Sequence, residues 1–264
     1  MPDESALLDV DGLAVRFGGL QAVDGATFSV KPASVTALIG PNGAGKTTTF
    51  NLLTGFIRAD AGFVRFADHD ISGARSDLIA RLGMVRTFQL TRVLAKMTVL
   101  ENVMLGAPDQ PGARFSNALF RPRLWRAREA EVREGARALL AEVGIESHAD
   151  EYAATLSGGQ RKLLELARAL MTQPRLVLLD EPMAGVNPTL GRRLLEYLQK
   201  LREERGMTVL FVEHDMEVVM GASDEVIVMA DGRVIAHGRP EDVRTDPKVV
   251  DAYLGSPGAE ATAA

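Results

Sequence analysis

The stretch "VTALIGPNGAGKTTT", Val35–Thr49, decides the architecture. Its first five residues form a short run, apolar but for Thr36, the pattern of a strand buried on both faces. From Lys46 onward the composition turns helix-forming. Between them, Gly40-Pro41-Asn42-Gly43-Ala44-Gly45-Lys46-Thr47 satisfies G-x-x-x-x-G-K-[ST]. Glycines let the backbone curl so that successive amides aim at phosphate oxygens, and the helix that follows turns its positive dipole end to the same anion. Lys46 is placed to reach the β- and γ-phosphates of ATP. Thr47 is expected to ligate Mg²⁺, and Thr48 adds a second hydroxyl. A glycine-rich turn that merely joins strand to helix is the plain alternative.

Other apolar runs repeat the strand pattern: Leu176–Leu179, Thr208–Val212 and Glu225–Ala230. Helical patterns lie between them, at Lys46–Phe56, Gln160–Met171, Leu190–Glu204 and Met216–Gly221. The fold expected is α/β, a P-loop NTPase core with a mostly parallel sheet. Leu7–Phe17, Ala26–Val30 and Phe63–Phe66 read as strands of an N-terminal antiparallel β subdomain. Residues 90–170 carry few strand signals, and Arg126–Gly144 is strongly helical, so an inserted α-helical subdomain is expected there. The catalytic core then takes 1–89 and 171–255. The small-residue tail 256–264 is expected to be disordered.

Two of the strands end in chemistry. "LVLLDEP" delivers Asp180 and Glu181 side by side. Asp180 fits the Mg²⁺-holding role at this strand end, and Glu181 is placed to polarise the attacking water. Glu181 opening a solvated loop is the bland alternative. "LFVEHD" delivers His214, which can bond the γ-phosphate and orient water, since parallel strands end at the ligand crevice. Glu213 and Asp215 beside it read equally well as solvated charges. A second anion-binding turn, "LSGGQRK", Leu156–Lys162, opens another helix. Ser157, Gly158 and Gly159 offer a hydroxyl and backbone amides, with Ser157 also suited to cap the helix.

Composition narrows the classes. The chain has 264 residues, 46% hydrophobic and 25% charged, with no cysteine and a net charge of −5. Disulfide, thiol and cysteine–metal chemistry are excluded. The acidic balance does not favour nonspecific nucleic-acid binding. No run reaches the ~18 apolar residues that a membrane span needs, and the N-terminus has no signal-peptide pattern. Work at a membrane would go through another chain.

The ordered set "GPNGAGKTT", "RTFQ" (Arg86–Gln89), "LSGGQ" (Leu156–Gln160), "LVLLDEP" and "VEHD" resembles the ATP-binding-cassette (ABC) ATPases over nearly the whole chain. The resemblance implies that Gln89 senses the γ-phosphate and Mg²⁺ and contacts a membrane partner. It implies that Phe17 stacks on adenine, where many relatives place tyrosine; a core aromatic at a strand end is the competing reading. It also implies that two subunits pack head to tail, so that Ser157, Gly158, Gly159 and Gln160 close over the nucleotide of the other chain. The residues alone do not force that pairing, because one chain could bring both turns together. Asn187 stands where many cassettes have aspartate, which keeps hydrogen bonding but drops a charge.

"MTVLENVMLG" (Met97–Gly106), the insertion near Gly112–Glu131, "EPMAGVNP" and "DPKVVDAYLG" (Asp246–Gly255) resemble the ATPase subunits of bacterial branched-chain amino-acid importers. That implies a second cassette ATPase, two permease subunits and, indirectly, a periplasmic binding protein, with this chain peripheral on the inner face of the cell membrane. Urea, short amides or other amino acids are alternative cargoes, and a soluble ABC ATPase is the competing class. The short separation of Lys46 and Ser157 speaks against the DNA-repair relatives, which insert long coiled coils there. The basic cluster Arg121–Arg128, with Trp125, reads as a solvated helix entry or as a membrane or permease contact.

Overall fold

The computed structural model describes residues 5–87, 93–108 and 122–254. They divide into two compact units. The first holds residues up to 86, 175–182 and 198 onward; the second holds 87–174 and 183–197. Residues 183–197, which the sequence reading kept in the core, fall in the second unit.

The first unit contains two sheets. The antiparallel one has the order β2-β1-β4-β5, with β1 at Leu8–Phe17, β2 at Leu20–Val30, β4 at Ala61–Phe66 and β5 at His69–Asp70. Along β1, buried and outer positions alternate, the mark of a sheet with one face covered. The other sheet has six strands in the order β10-β9-β3-β8-β7-β6. Here β3 is Val35–Ile39, β6 Met84–Arg86, β7 Leu176–Asp180, β8 Thr208–Val212, β9 Glu225–Ala230 and β10 Arg233–Gly238. Strands β3, β7 and β8 are buried at every position, which explains why each is apolar apart from one residue, Thr36, Asp180 and Thr208 respectively. Strand β3 lies between β8 and β9, parallel to both, and β7 lies between β8 and β6, again parallel. Only β10 runs antiparallel, as an edge strand against β9.

The helices of this unit are α1 (Lys46–Leu53), α2 (Ser76–Arg81) and, after β8, α7 (Met216–Ala222), α8 (Pro240–Thr245) and α9 (Pro247–Leu254). Both sheets and α1 contribute to one apolar cluster that includes Leu8, Phe28, Leu38, Phe50, Phe66, Leu178 and Ile227. The core thus fixes β3 and α1, and so the loop between them.

The second unit is helical. It contains α3 (Val99–Met104), α4 (Pro122–Glu142), α5 (Gly158–Met171) and the first part of α6 (Pro188–Arg205). Leu163, Leu166, Ala167 and Leu170 recur on one face of α5 and are buried, the spacing of an amphipathic helix. Asn102 of α3 is fully buried, yet it is satisfied by backbone groups of Leu94 and Thr98, so it ties down the turn before its own helix. Arg121 lies outside the described residues, and Arg128 of α4 bonds the carbonyl of Pro108 at 3.2 Å and pairs with Glu131. Among the described residues, no helix is long and apolar enough to cross a membrane.

Candidate active site

The loop from Gly40 to Gly45 is wedged between two strands. Gly40 has φ 147, and a β-carbon there would lie 2.0 Å from the carbonyl oxygen of Met229 in β9. Gly45 has φ 96, and its β-carbon would lie 2.5 Å from the carbonyl oxygen of Ala22 in β2. Only glycine fits either position, by backbone conformation and by space. Gly43, with φ 82, faces open space. Asn42, Gly43 and Thr47 are exposed, Pro41 and Thr48 half-buried, and Ala44 buried. An α-helix leaves the first-turn amides without partners inside the helix, and α1 begins at Lys46.

Lys46 is 6% exposed. Its Nζ donates to the carbonyls of Gly40 at 2.6 Å and Pro41 at 2.9 Å. Burial holds its pKa below the ordinary lysine range, while the carboxylates of Glu181 and then Asp180 pull the other way. A cation is therefore stored inside the loop, beside two acids.

Phe17 ends β1 and pairs across the hairpin with Leu20. It is 47% exposed, so it is a surface aromatic and not a core one. Ala22, two residues beyond Leu20, is the residue that abuts Gly45. At ~3.4 Å per strand residue, the hairpin end stands roughly 7 Å from that contact.

Asp180 and Glu181 leave β7 in different directions. Asp180 is buried, and its Oδ2 accepts from Arg86 at 2.6 Å. Its Oδ1 is buried with no hydrogen-bond partner. Arg86, at the end of β6, also donates to Asn51 Oδ1 of α1 at 2.6 Å and stands 5.4 Å over the ring of Phe50. The sequence reading quoted Arg86 within a motif but gave it no task; its partners become visible only when β6 lies beside β7. Removing one member of a buried pair strands the other's charge, at a cost of about 3–5 kcal/mol. Arg86→Met is expected to lose about that much in urea unfolding; a loss below about 1 kcal/mol would show that the pair does not carry the β6–β7–α1 junction.

Glu181 follows with φ 48, a conformation that costs a non-glycine residue about 1–3 kcal/mol. Its amide is held by the carbonyl of Val212 at 3.0 Å. Its Oε1 lies 2.9 Å from Nε2 of His214. An ionised carboxylate only accepts, so His214 donates from Nε2. The flanking acids are not plain solvated charges: Glu213 is 4% exposed, and Asp215 caps α7 through the amides of Glu217 and Val218.

Asp180 Oδ1 and the exposed Thr47 hydroxyl suit a hard cation such as Mg²⁺, which takes few protein ligands beside phosphate. No cluster of three or more His, Cys, Asp or Glu side chains suited to a metal occurs among the described residues. Gln89, expected to join Thr47 and Asp180, lies outside the described residues.

In the helical unit, Ser157 caps α5. Its hydroxyl accepts from the amide of Gln160 at 3.3 Å, and Gln160 Oε1 accepts from the amide of Ser157 at 2.8 Å. This reciprocal capping box leaves Ser157 and Gly158 exposed. Gly159 is buried, and a β-carbon on it would lie 2.9 Å from Leu190 Cδ2. Asn187 caps the next helix, its Oδ1 accepting from the amide of Leu190 at 2.9 Å. At the other end of the chain, burial pushes the Tyr253 phenol of α9 up, opposed by a hydrogen bond from the Gly40 backbone. The sequence reading missed that link to the loop.

A family model described as ABC transporter matches residues 23–184. A second, described as Branched-chain amino acid ATP-binding cassette transporter, matches residues 233–259. The high-affinity branched-chain amino acid transport ATP-binding protein BraF of Pseudomonas aeruginosa is 44% identical over 249 residues, 94% of this chain and 98% of that protein. The corresponding protein LivG of Escherichia coli K12 is 41% identical over the same shares. The ADP conformation of an ATP-binding cassette of an ABC transporter matches with TM-score 0.81 and 40% identity, over 95% of this chain and 99% of that one. The glycine-rich loop, the strand-end acids and the Ser157–Gln160 turn, the signature turn, thus sit in a chain whose fold and sequence are shared over nearly its whole length, and the chain belongs to the ABC transporter family of ATP-hydrolysing cassettes.

Proposed function

We propose that this cassette powers the import of branched-chain amino acids through partner permeases. The observation that carries the cargo is the C-terminal match: residues 233–259 fit the model for branched-chain amino-acid cassettes. The relatives named above, similar over nearly their full length, are transport proteins for the same solutes. The partners are a second cassette, two membrane permeases and, indirectly, a periplasmic binding protein. The chain then works peripherally on the inner face of the cell membrane. The helical unit is the family's inserted subdomain.

ATP lies on Gly40–Thr48, its triphosphate facing the first-turn amides of α1 and the ammonium of Lys46, with adenine on Phe17. Mg²⁺ suits Thr47, Asp180 and Gln89, and when bound it supplies neutralisation of phosphate charge. Glu181 accepts a proton from the attacking water, whose oxygen bonds the γ-phosphorus as the bond to ADP breaks. His214, already bonded to Glu181, orients that carboxylate and the water. Ser157, Gly158, Gly159 and Gln160 close over the ATP of the partner cassette, which makes tight pairing depend on bound triphosphate.

The test is reconstitution with the two permeases in proteoliposomes, with the binding protein outside. ATPase activity is expected to rise with leucine, isoleucine or valine and to ignore urea and short amides. Stimulation by urea alone would reassign the cargo. No response to permeases at all would overturn the transport reading.

A further inference from the structure

Gln160 is gripped from two sides. Its Oε1 accepts from the amide of Ser157 at 2.8 Å. A backbone N–H can only donate, so chemistry fixes which way this carboxamide is turned. Its NH₂ group is then directed elsewhere, and it lies 2.9 Å from Nε2 of His148. That NH₂ is a donor only, so His148 Nε2 must accept. The imidazole in this role carries its single proton on Nδ1, which stands 3.2 Å from Oε1 of Glu151 but off the line of a hydrogen bond. Glu151 Oε2 is engaged by the Thr155 hydroxyl at 3.2 Å.

His148 is itself well anchored. It closes a short 3-10 turn, Glu146–His148. The next residue, Ala149, is buried, and its carbonyl accepts from the amide of Leu100 in α3 at 2.9 Å. The far side of the signature turn is equally fixed, because Gly159 packs on Leu190 and Val186. Gln160 is half-buried between these supports. Without an acceptor at His148, its carboxamide loses the contact that keeps it turned toward Ser157. The capping box then competes with water for both of its bonds, and the exposed Ser157–Gly158 pair loses its fixed presentation.

We propose that His148 is a positioning residue for the signature turn, acting as a hydrogen-bond acceptor that clamps Gln160 in the capping box. This rests on the reading that Ser157–Gln160 closes over the ATP of the partner cassette. It predicts that the side chain at 148 matters for what it accepts, more than for its size.

The experiment compares His148→Leu, His148→Lys and His148→Gln in the reconstituted transporter. Leucine removes the acceptor, lysine offers only donors, and glutamine restores an oxygen of similar reach. Losing one hydrogen bond of this kind is worth about fivefold. With Leu and Lys, ATPase kcat is expected to fall by about that factor, while binding of a fluorescent ATP analogue to the cassette alone stays unchanged. Gln is expected to recover most of the activity. If all three variants match the parent, or if Gln is as poor as Leu, the clamp is wrong. Thermal melting of each variant separates a folding defect, which would lower analogue binding too. Ser157→Arg is run in parallel. If that variant is fully active, the signature-turn reading itself fails; if it is inactive while His148→Leu is normal, only the clamp fails.

Discussion

Lys46→Ala leaves a folded cassette with ATP hydrolysis down by about 10²–10³-fold or more, the loss typical of removing a preorganised electrostatic group. The ammonium of Lys46 is held by the carbonyls of Gly40 and Pro41 inside the loop. It is almost out of water, so its charge is poorly screened. A triphosphate brought to that loop meets a cation already in place. Without it, the same phosphate meets two carbonyl oxygens whose donor is gone, so both binding and the charge of the transition state suffer. Lys46→Arg keeps the charge but brings a planar fork too large for a site built around one Nζ, and it is expected to fail as well. Phosphate release and binding of a fluorescent ATP analogue measure the two effects. Turnover within about threefold of the parent would exclude this role, since a buried cation beside phosphate must be worth more.

The legible part of the molecule is the part that local pattern controls. Strands β8 and β9 follow the runs Thr208–Val212 and Glu225–Ala230 at both ends, because the interior of each is a continuous apolar stretch buried on both faces. Strand β10 escaped because an edge strand, half-buried along most of its length, has no such run. Strand β6 is three residues long, too short to carry a period. The loop glycines were readable as a motif, but not the reason for each. That Gly40 meets Met229 and Gly45 meets Ala22 depends on strands far away in sequence. Arg86 was unreadable for the same reason: its ion pair exists only because β6 pairs with β7. Asp215 could have been found, since an aspartate just before a helical run is a capping signal. His148 carries no motif at all, and only the fold brings it to Gln160.

Glu181→Gln is expected to stop turnover while ATP stays bound. The substitution keeps shape and keeps an oxygen that can accept from His214 Nε2, now 2.9 Å from Glu181 Oε1. It removes the ability to take a proton, which general-base catalysis rates at about 10²–10⁴-fold. Nucleotide affinity should hold, because the loop contacts are on Lys46 and the α1 amides. It should even rise, since one negative charge leaves the neighbourhood of the triphosphate. Glu181→Ala separates the two roles of the side chain. It loses the proton acceptor and the His214 bond together, so it should be as slow as Glu181→Gln while His214 loses its tether. His214→Ala in turn keeps the base and loses its orienting partner, so it should be slower than the parent but faster than Glu181→Gln. The order parent, His214→Ala, Glu181→Gln in single-turnover rate follows from the geometry, in which Glu181 is held in a strained backbone by Val212 and aimed by one histidine. If Glu181→Gln turned over ATP at the parent's rate, the proton would have to leave by another group, and the pairing of this acid with His214 would be structural only.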